Sequence, residues 1–191
     1  MGSHSSEQKD RVQAAPFKGE GLYYERVLSY FHTLAKPPGS LGEIEILAAR
    51  VSEAQQAFPP VYANPSIVIF AADHGVAQEE SVSPYPWHVT KAMVNTFSKA
   101  KAAISVIARA QGAQLEIVNC GVEGLKTPEC VTGVRFFDAE ISAKATKNFV
   151  YSDAMTKAQC EKAIEAGRTS LIRQLNFGST LLAAGEMGIH Q

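Results

Sequence analysis

The sequence predicts an α/β fold: a parallel Rossmann-like sheet flanked by helices, with a small helical part at the N-terminus. Three apolar runs rich in β-branched residues predict buried strands, and each run ends in glycine beside polar residues. Amphipathic segments separate the runs, and a strand joined to the next through a helix implies a right-handed parallel crossover. The runs cover residues 66–72, 115–120 and 179–184. We expect an incomplete sheet, because the chain stops directly after the third run.

The composition is that of an ordinary globular protein. The 191 residues are 46% hydrophobic and 19% charged, which is enough material for one domain with a core. A net charge of -1 gives no electrostatic footprint for nucleic acid. No apolar run approaches the roughly 20 residues of a membrane span. The three cysteines are too few for a zinc site or a disulfide framework. Reduced thiols favour a cytoplasmic location.

The chain divides into three predicted parts. Residues 1–20 are polar and lack the apolar core of a secretory signal, so we expect a disordered tail, although its first four residues could also be the remnant of an expression tag. Residues 21–60 are expected to form a helical hairpin. Residues 61–191 are expected to form the parallel α/β nucleotide-binding part.

Proline and capping patterns define the hairpin. A helix over 21–35 should stop at Pro37 and Pro38, which cannot continue it. Ser40 and Glu43 have the spacing of a capping box, which predicts a second helix up to about residue 57. Its apolar face comprises Ile44, Leu47, Ala48 and Val51. The stiff segment between the helices is most simply a connector.

Two further helices are predicted in the α/β part. Residues 89–110 form the longest amphipathic pattern and predict a single helix. Thr156 and Gln159 form a capping box that opens a helix up to about residue 175. Between these helices, residues 134–137 fit either a short strand or a loop.

The ends of the predicted strands carry candidate site residues. Asp73 and His74 follow the first strand, although both residue types are uncommon within strands. They fit either a ligand site or a hydrogen-bonded pair that closes a loop. Parallel strands present their carboxyl ends on one edge of the sheet, so Cys120 and Glu186 should lie on the same edge. The glycines there would let backbone amides approach a phosphate, and Glu186 could act as a base or bind a hydroxyl.

The loop at 78–87 is long and stiffened by prolines, as binding loops often are. It contains Ser83, Pro84 and Tyr85. The alternative interpretation is simple packing of Tyr85 and Trp87 beneath the loop.

Several motifs in this order resemble the nicotinate-nucleotide–dimethylbenzimidazole phosphoribosyltransferase family. The resemblance extends from about Leu22 to Ile189 and corresponds to an N-terminal half-length version of the family. The motifs are Lys-Pro-Pro-Gly-Ser-Leu-Gly at 36–42, Ala-Ala-Asp-His-Gly-Val at 71–76, Val-Ser-Pro-Tyr-Pro at 82–86 with Val89, Thr90 and Met93 after it, Asn-Phe at 148–149, Ala-Met-Thr at 154–156, and Gly-Glu-Met-Gly-Ile at 185–189.

The resemblance implies an activity and a set of roles. The family transfers phosphoribosyl from nicotinate mononucleotide to dimethylbenzimidazole for the cobalamin nucleotide loop, without metal or cofactor, and as a homodimer. By motif, Ser83, Pro84 and Tyr85 would line the pocket for the aromatic base. Glu186, Met187 and Gly188 would lie beside the ribose and phosphate, with Asp73 and His74 nearby. A homodimer, or a second chain that completes the sheet, is therefore expected.

The sequence also departs from the family pattern. Family members are about twice as long, and their usual catalytic carboxylate lies in the half without a counterpart here, so Glu186 is the candidate base. His190 and Gln191 stand where the family continues into a phosphate-binding Gly-Asn-Thr-Thr segment. Ser81 and Ala145 replace glycines, and residues 99–102 replace a segment with a Gly-Gly pair. Each lost glycine should cost about 1 kcal/mol where the backbone needs a positive φ.

Two other functions compete with this one. The chain could be a non-catalytic or partial relative that binds a nucleotide or a partner chain without turnover. Asp73 and His74 alone would also fit a metal-dependent hydrolase, but no further histidine or carboxylate lies at ligand spacing near them.

Overall fold

The computed structural model describes residues 21–142 and 144–189. These residues belong to two compact units, which divide between Val61 and Tyr62. The tail predicted at 1–20 lies outside the described residues, as do His190 and Gln191.

The first unit is a pair of helices, α1 (Leu22–Thr33) and α2 (Glu43–Gln55). Both helices were predicted, but the capping box at Ser40 is wrong. The residue before α2 is Gly42, which has a φ of 57° and provides no side-chain cap. The carboxylate of Glu45 takes over part of this role, because its Oε1 accepts a hydrogen bond from the backbone N–H of Leu41 at 3.1 Å.

The buried face of α2 is not the apolar face that the sequence predicts. Ile44 and Leu47 are 64% and 61% exposed. The buried residues are Glu45, Ala49 and Ser52. Glu45 is buried as an ion pair with Lys36, whose Nζ lies 2.7 Å from its Oε1.

The second unit is built on a four-stranded parallel sheet, which confirms the predicted fold class. Its strands are β1 (Ser66–Ala72), β2 (Gln114–Gly121), β3 (Val134–Asp138) and β4 (Leu182–Met187). Their order is β3-β2-β1-β4, and every neighbouring pair is parallel. The ambiguous segment at 134–137 is therefore an edge strand. β4 begins and ends three residues later than predicted, so Glu186 lies within the strand and not in the loop after it.

Four helices connect the strands: α3 (Gly75–Glu79), α4 (Val89–Ser98), α5 (Ala103–Ala110) and α6 (Lys157–Asn176). The short helix α3 was not predicted. The capping box of α6 is confirmed, because the Thr156 hydroxyl accepts from the Gln159 N–H at 3.2 Å while the Gln159 side chain accepts from the Thr156 N–H at 2.8 Å.

The prediction of one long helix over 89–110 is wrong, because the chain breaks between α4 and α5. Ala100 adopts a φ of 53°, in the left-handed region, and Ala102 is extended with a φ of -80° and a ψ of 158°. This is the segment where the family resemblance implies a pair of glycines. Ser81 and Ala145, the other two replacements, are not among the positive-φ residues of the described chain.

The break leads to a prediction about stability. Ala100→Gly is expected to raise the free energy of unfolding by about 1 kcal/mol, because glycine adopts a left-handed conformation without the steric cost of a Cβ atom. Ala158→Gly, on the exposed face of α6, should lower it by a similar amount because it weakens a helix. Urea unfolding followed by circular dichroism measures both. Destabilisation by Ala100→Gly would contradict the assigned backbone strain.

The two faces of the sheet bury different kinds of side chain. One face packs apolar side chains of β1 and β2 against α4, including Ile69, Ile117, Val94 and Phe97. Successive residues of a strand point to opposite faces, so Glu116 of β2 points away from this core and towards α6. None of the helices in the described ranges has the length and apolar character that a bilayer span requires.

Candidate functional site

The sheet topology has a switch point between β1 and β4, and we use the word crevice for the region at their carboxyl ends, residues 73–76 and 185–189. From β1 the chain proceeds through α3–α5 to β2 on one side, whereas α6 brings it back to β4 on the other side. In open α/β sheets, ligands bind outside the carboxyl ends of the strands at such a switch point. Glu186 pairs with Phe70, and Met187 with Ala71, so the end of β4 lies beside the end of β1.

Asp73 follows β1 and ties it to the neighbouring strand. It is 1% exposed, and its Oδ2 accepts a hydrogen bond from the Glu123 N–H at 2.8 Å. Burial raises the pKa of Asp73, against the Glu123 amide and the nearby Thr90 hydroxyl, which lower it. Neither Asp73 Oδ1 nor Thr90 Oγ1 meets the geometry of a hydrogen bond within the described chain. Asp73 therefore connects the end of β1 to the loop after β2.

His74, the next residue after Asp73, is half-buried. Burial lowers the pKa of His74, while the negative charges of Asp73 and Glu186 oppose this effect. The charge of Glu186 thus reaches the imidazole from the neighbouring strand. Glu186 itself is exposed on the sheet edge. The structure places a half-buried imidazole and an exposed carboxylate near one another at the ends of the neighbouring strands β1 and β4.

This proximity leads to a prediction that a titration can test. In Glu186→Gln, the pKa of His74 should fall further below the ordinary value, because a charge that favours the imidazolium is removed. Titration of the imidazole resonances by NMR measures the shift. Glu161→Gln removes an exposed carboxylate on α6 and should leave the pKa of His74 unchanged. If the pKa of His74 is the same in wild type and in Glu186→Gln, the charge of Glu186 does not act on His74, and their assigned proximity is wrong.

A cavity of about 330 Å³ lies next to His74. Its walls are the ends of β1 and β2, residues 141–142 and 144–147, and the first turns of α6 with the residues just before it. Most of its lining is apolar, with Ile141, Met155 and Ala163 among the contributors, and Lys144 and Lys147 add positive charge. Burial raises the pKa of the Cys120 thiol in this wall to about 11, so the thiol stays protonated at neutral pH.

Two of the glycines after the strands serve the protein's own backbone. A Cβ atom on Gly75 would lie 2.5 Å from the backbone nitrogen of Asn148 and 2.5 Å from the carbonyl oxygen of Thr146. A Cβ atom on Gly121 would lie 3.1 Å from the carbonyl oxygen of Lys144. At both positions the space that a Cβ atom would need is taken up by the protein's own backbone. The two glycines allow residues 144–148 to pack against the strand ends.

Ser83, Pro84 and Tyr85 lie in the loop between α3 and α4. The Ser83 hydroxyl accepts a hydrogen bond from the Tyr85 N–H at 3.0 Å, and Tyr85 is 65% exposed. The alternative in which Tyr85 packs beneath the loop is therefore wrong. Trp87 is half-buried with its ring 5.9 Å from that of His88. Within the described residues, no hydrogen bond or ion pair joins this loop to Glu186.

The predicted site residues thus form two groups, one at the strand ends and one in the loop after α3. Sequence reasoning assigned no role to Asn148, which is 4% exposed and contacts both α3 and the start of that loop. Its only signal was the Asn-Phe motif. Across the described ranges, no three histidine, cysteine or acidic side chains converge in the manner of a metal site.

Comparisons with known proteins agree on one family. A family model described as phosphoribosyltransferase matches residues 22–191. The chain is 44% identical over 167 residues to the nicotinate-nucleotide–dimethylbenzimidazole phosphoribosyltransferase of Pseudomonas fluorescens SBW25, covering 87% of this chain and 46% of that protein. The protein of the same name from Azotobacter vinelandii is 45% identical over 157 residues, covering 82% of this chain and 43% of its own.

A solved structure gives the same result. The crystal structure of the enzyme of that name from Thermus thermophilus superposes with a TM-score of 0.77 at 35% identity, covering 88% of this chain and 49% of that one. The chain spans about half the length of the curated relatives that it matches. The chain belongs to the nicotinate-nucleotide–dimethylbenzimidazole phosphoribosyltransferase family.

Proposed function

We propose that this chain transfers phosphoribosyl from nicotinate mononucleotide to dimethylbenzimidazole, which gives α-ribazole phosphate for the lower nucleotide loop of cobalamin. The observation that carries the proposal is the exposed carboxylate of Glu186 beside His74, at the switch point of a sheet in a chain of this family. Relatives at 44% and 45% identity bear the name of this reaction.

The proposed chemistry is a substitution at the anomeric carbon with inversion. A ring nitrogen of dimethylbenzimidazole forms a bond to C1′ of the ribose. The bond from C1′ to the pyridine nitrogen breaks, and its electron pair leaves with nicotinate. The benzimidazole gives up its N–H proton to Glu186. A carboxylate within reach of the reacting nitrogen supplies roughly 10²–10⁴-fold in rate through such proton transfer.

The remaining residues have binding roles in this proposal. Ser83, Pro84 and Tyr85 line the pocket for the aromatic base, and the exposed ring of Tyr85 is available for stacking. Met187 and Gly188 lie beside the ribose and phosphate. Asp73 and His74 support the crevice from β1. The reaction needs no metal or cofactor, and we place it in the cytoplasm.

The proposal includes a partner that covers β4. The first five residues of β4 are exposed, although β4 is a strand of the sheet. β4 pairs with β1 along one edge, and its other edge has no neighbouring strand among the described residues. From the resemblance to the family, we expect β4 to be covered by a second copy of the chain in a homodimer or by another chain that completes the sheet. Strands exposed along an edge are templates for further pairing.

The exposure of β4 also favours a second candidate, a protein that binds the nucleotide or a partner chain without turnover. Both candidates use the same crevice. They differ in whether this chain alone catalyses the transfer, with Glu186 accepting the proton of the benzimidazole.

Turnover by the chain separates these candidates. The protein, shown to be folded by circular dichroism, is incubated with nicotinate mononucleotide and dimethylbenzimidazole, and chromatography follows nicotinate and α-ribazole phosphate. Equal amounts of both products support the transferase. Absence of both products from a folded chain that still binds nicotinate mononucleotide supports the binding protein.

A further inference from the structure

A buried amide holds two carboxylates at the start of the loop that carries Ser83 and Tyr85. The Nδ2 group of Asn148 donates one hydrogen bond to Glu79 Oε2 and one to Glu80 Oε1, each at 3.0 Å. Asn148 is 4% exposed, so both bonds are shielded from water on its side. An amide nitrogen has two hydrogens to donate, and this arrangement uses both.

The amide is itself fixed in place. Its Oδ1 accepts a hydrogen bond from the Val150 N–H at 3.0 Å, and its backbone carbonyl accepts from the N–H groups of Tyr151 and Ser152 at 3.2 Å each. The absence of a side chain at Gly75 lets the backbone of Asn148 lie directly against the first turn of α3. Asn148 therefore has a single orientation relative to α3.

The two carboxylates that Asn148 contacts lie where helix α3 ends and the extended loop begins. Glu79 is the last residue of α3, and Glu80, the residue after it, is already extended with a φ of -114° and a ψ of 147°. Two adjacent carboxylates repel one another, and a shared donor between them offsets that repulsion. The nearby carboxylate of Glu80 raises the pKa of the Tyr151 phenol, so the phenol lies close to the same pair of carboxylates. The loop leaves α3 from this fixed point.

We propose that Asn148 is a positioning residue for the base-binding loop, which we define as residues 81–87. By holding Glu79 and Glu80, it fixes the direction in which the loop leaves α3, and so the position of Ser83 and Tyr85. Its effect on benzimidazole binding rests on the function proposed above, whereas its effect on the loop does not.

The test uses the single tryptophan of the sequence, Trp87, which lies in the loop and reports its mobility. Asn148→Asp replaces the donor with a third carboxylate, so acrylamide quenching of Trp87 fluorescence should rise. Adding Glu79→Gln and Glu80→Gln supplies amides that donate to the new carboxylate, so quenching should return towards wild type. Asn119→Asp makes the same change beside Asp138, which Asn119 contacts at 3.0 Å, and should leave the quenching of Trp87 unchanged.

Rescue distinguishes positioning from a general loss of structure. Unchanged quenching in Asn148→Asp would overturn the proposal, and so would raised quenching that the two Glu→Gln changes fail to restore. If Asn148→Asp is unfolded by circular dichroism, Asn148→Ala takes its place and should also raise quenching. Its rescue partners are then Glu79→Gln and Glu80→Gln, which remove the repulsion that the missing amide leaves behind.

A kinetic readout connects the loop to the substrate. If wild type turns over, Asn148→Ala should raise the KM for dimethylbenzimidazole by about tenfold or more, with a smaller change in the KM for nicotinate mononucleotide, since misplacing a binding group is costly. Equal effects on both KM values would overturn the link to the base. If wild type shows no turnover, the proposed function fails, and the Trp87 measurement still decides the role of Asn148.

Discussion

Glu186→Gln is expected to lower phosphoribosyl transfer by roughly 10²–10⁴-fold, the usual contribution of a positioned general base. The variant keeps the size of the side chain and its place in β4, next to Phe70 of β1, but it cannot accept the benzimidazole proton. Glu186→Ala should abolish whatever transfer the chain shows. Nicotinate release under saturating concentrations of both substrates measures the loss.

A matched control keeps this result specific. Glu129→Gln removes an exposed carboxylate from the loop between β2 and β3 and should leave the transfer rate within error of wild type. Turnover of Glu186→Gln at the wild-type rate would remove Glu186 from the catalytic site and leave the chain without an assigned base.

Arg173→Met should cost about 3–5 kcal/mol of folding free energy, the range observed when one partner of a buried ion pair is removed. Glu116 is 1% exposed within β2, and its Oε1 accepts from Arg173 Nη2 at 2.5 Å and from Arg173 Nε at 3.1 Å. Ser170 and Gln174 also donate to this carboxylate, at 2.8 and 2.6 Å, and Arg135 Nη2 lies 3.9 Å from its Oε2, so three partners would remain. We therefore expect a loss at the lower end of the range.

The comparison with an exposed pair tests the reason for this loss. Lys157 and Glu161 form an ion pair one turn apart on α6, with side chains 91% and 67% exposed. Lys157→Met should cost only about 0.3–0.5 kcal/mol, because water screens such a pair. Urea unfolding at neutral pH gives both values. Similar losses in the two variants would mean that Arg135, Ser170 and Gln174 are sufficient to stabilise the buried charge of Glu116 without Arg173.

Local sequence patterns were sufficient for much of the parallel sheet. The β-branched runs at β1 and β2 lie in the core of the sheet, where hydrophobic pattern and strand propensity agree. The capping box at Thr156 was equally informative, because both of its hydrogen bonds are local to the first turn of α6. These are features in which neighbouring residues alone determine the structure.

The predictions were wrong where a contact between distant residues, or a single backbone angle, determines the local structure. Amphipathic periodicity runs through Ala100 without interruption, so a left-handed residue there gives no hydrophobic signal. In α2, the ion pair between Lys36 and Glu45 buries a charged residue while Ile44 and Leu47 stay exposed. A pattern of apolar residues does not reveal which polar side chain finds a partner.

The candidate site was partly accessible from the sequence. Asp73, His74 and Glu186 were predicted as site residues because the carboxyl ends of parallel strands lie on one edge of a sheet, and β1 and β4 do pair in parallel. Asn148 received no role because the residues that it holds, Glu79 and Glu80, lie 69 and 68 positions earlier in the chain. Only the tertiary structure shows that contact.

We propose that nicotinate mononucleotide binds in the crevice at the carboxyl ends of β1 and β4. Titration of this nucleotide into ¹⁵N-labelled protein, followed by amide NMR, tests it most directly. We expect saturable shifts concentrated at residues 73–76 and 185–189, with little change around Lys99 and Arg109, which line a separate cavity. Shifts confined to that other cavity, or no shifts at saturating nucleotide, would contradict the assignment of the crevice as the nucleotide site.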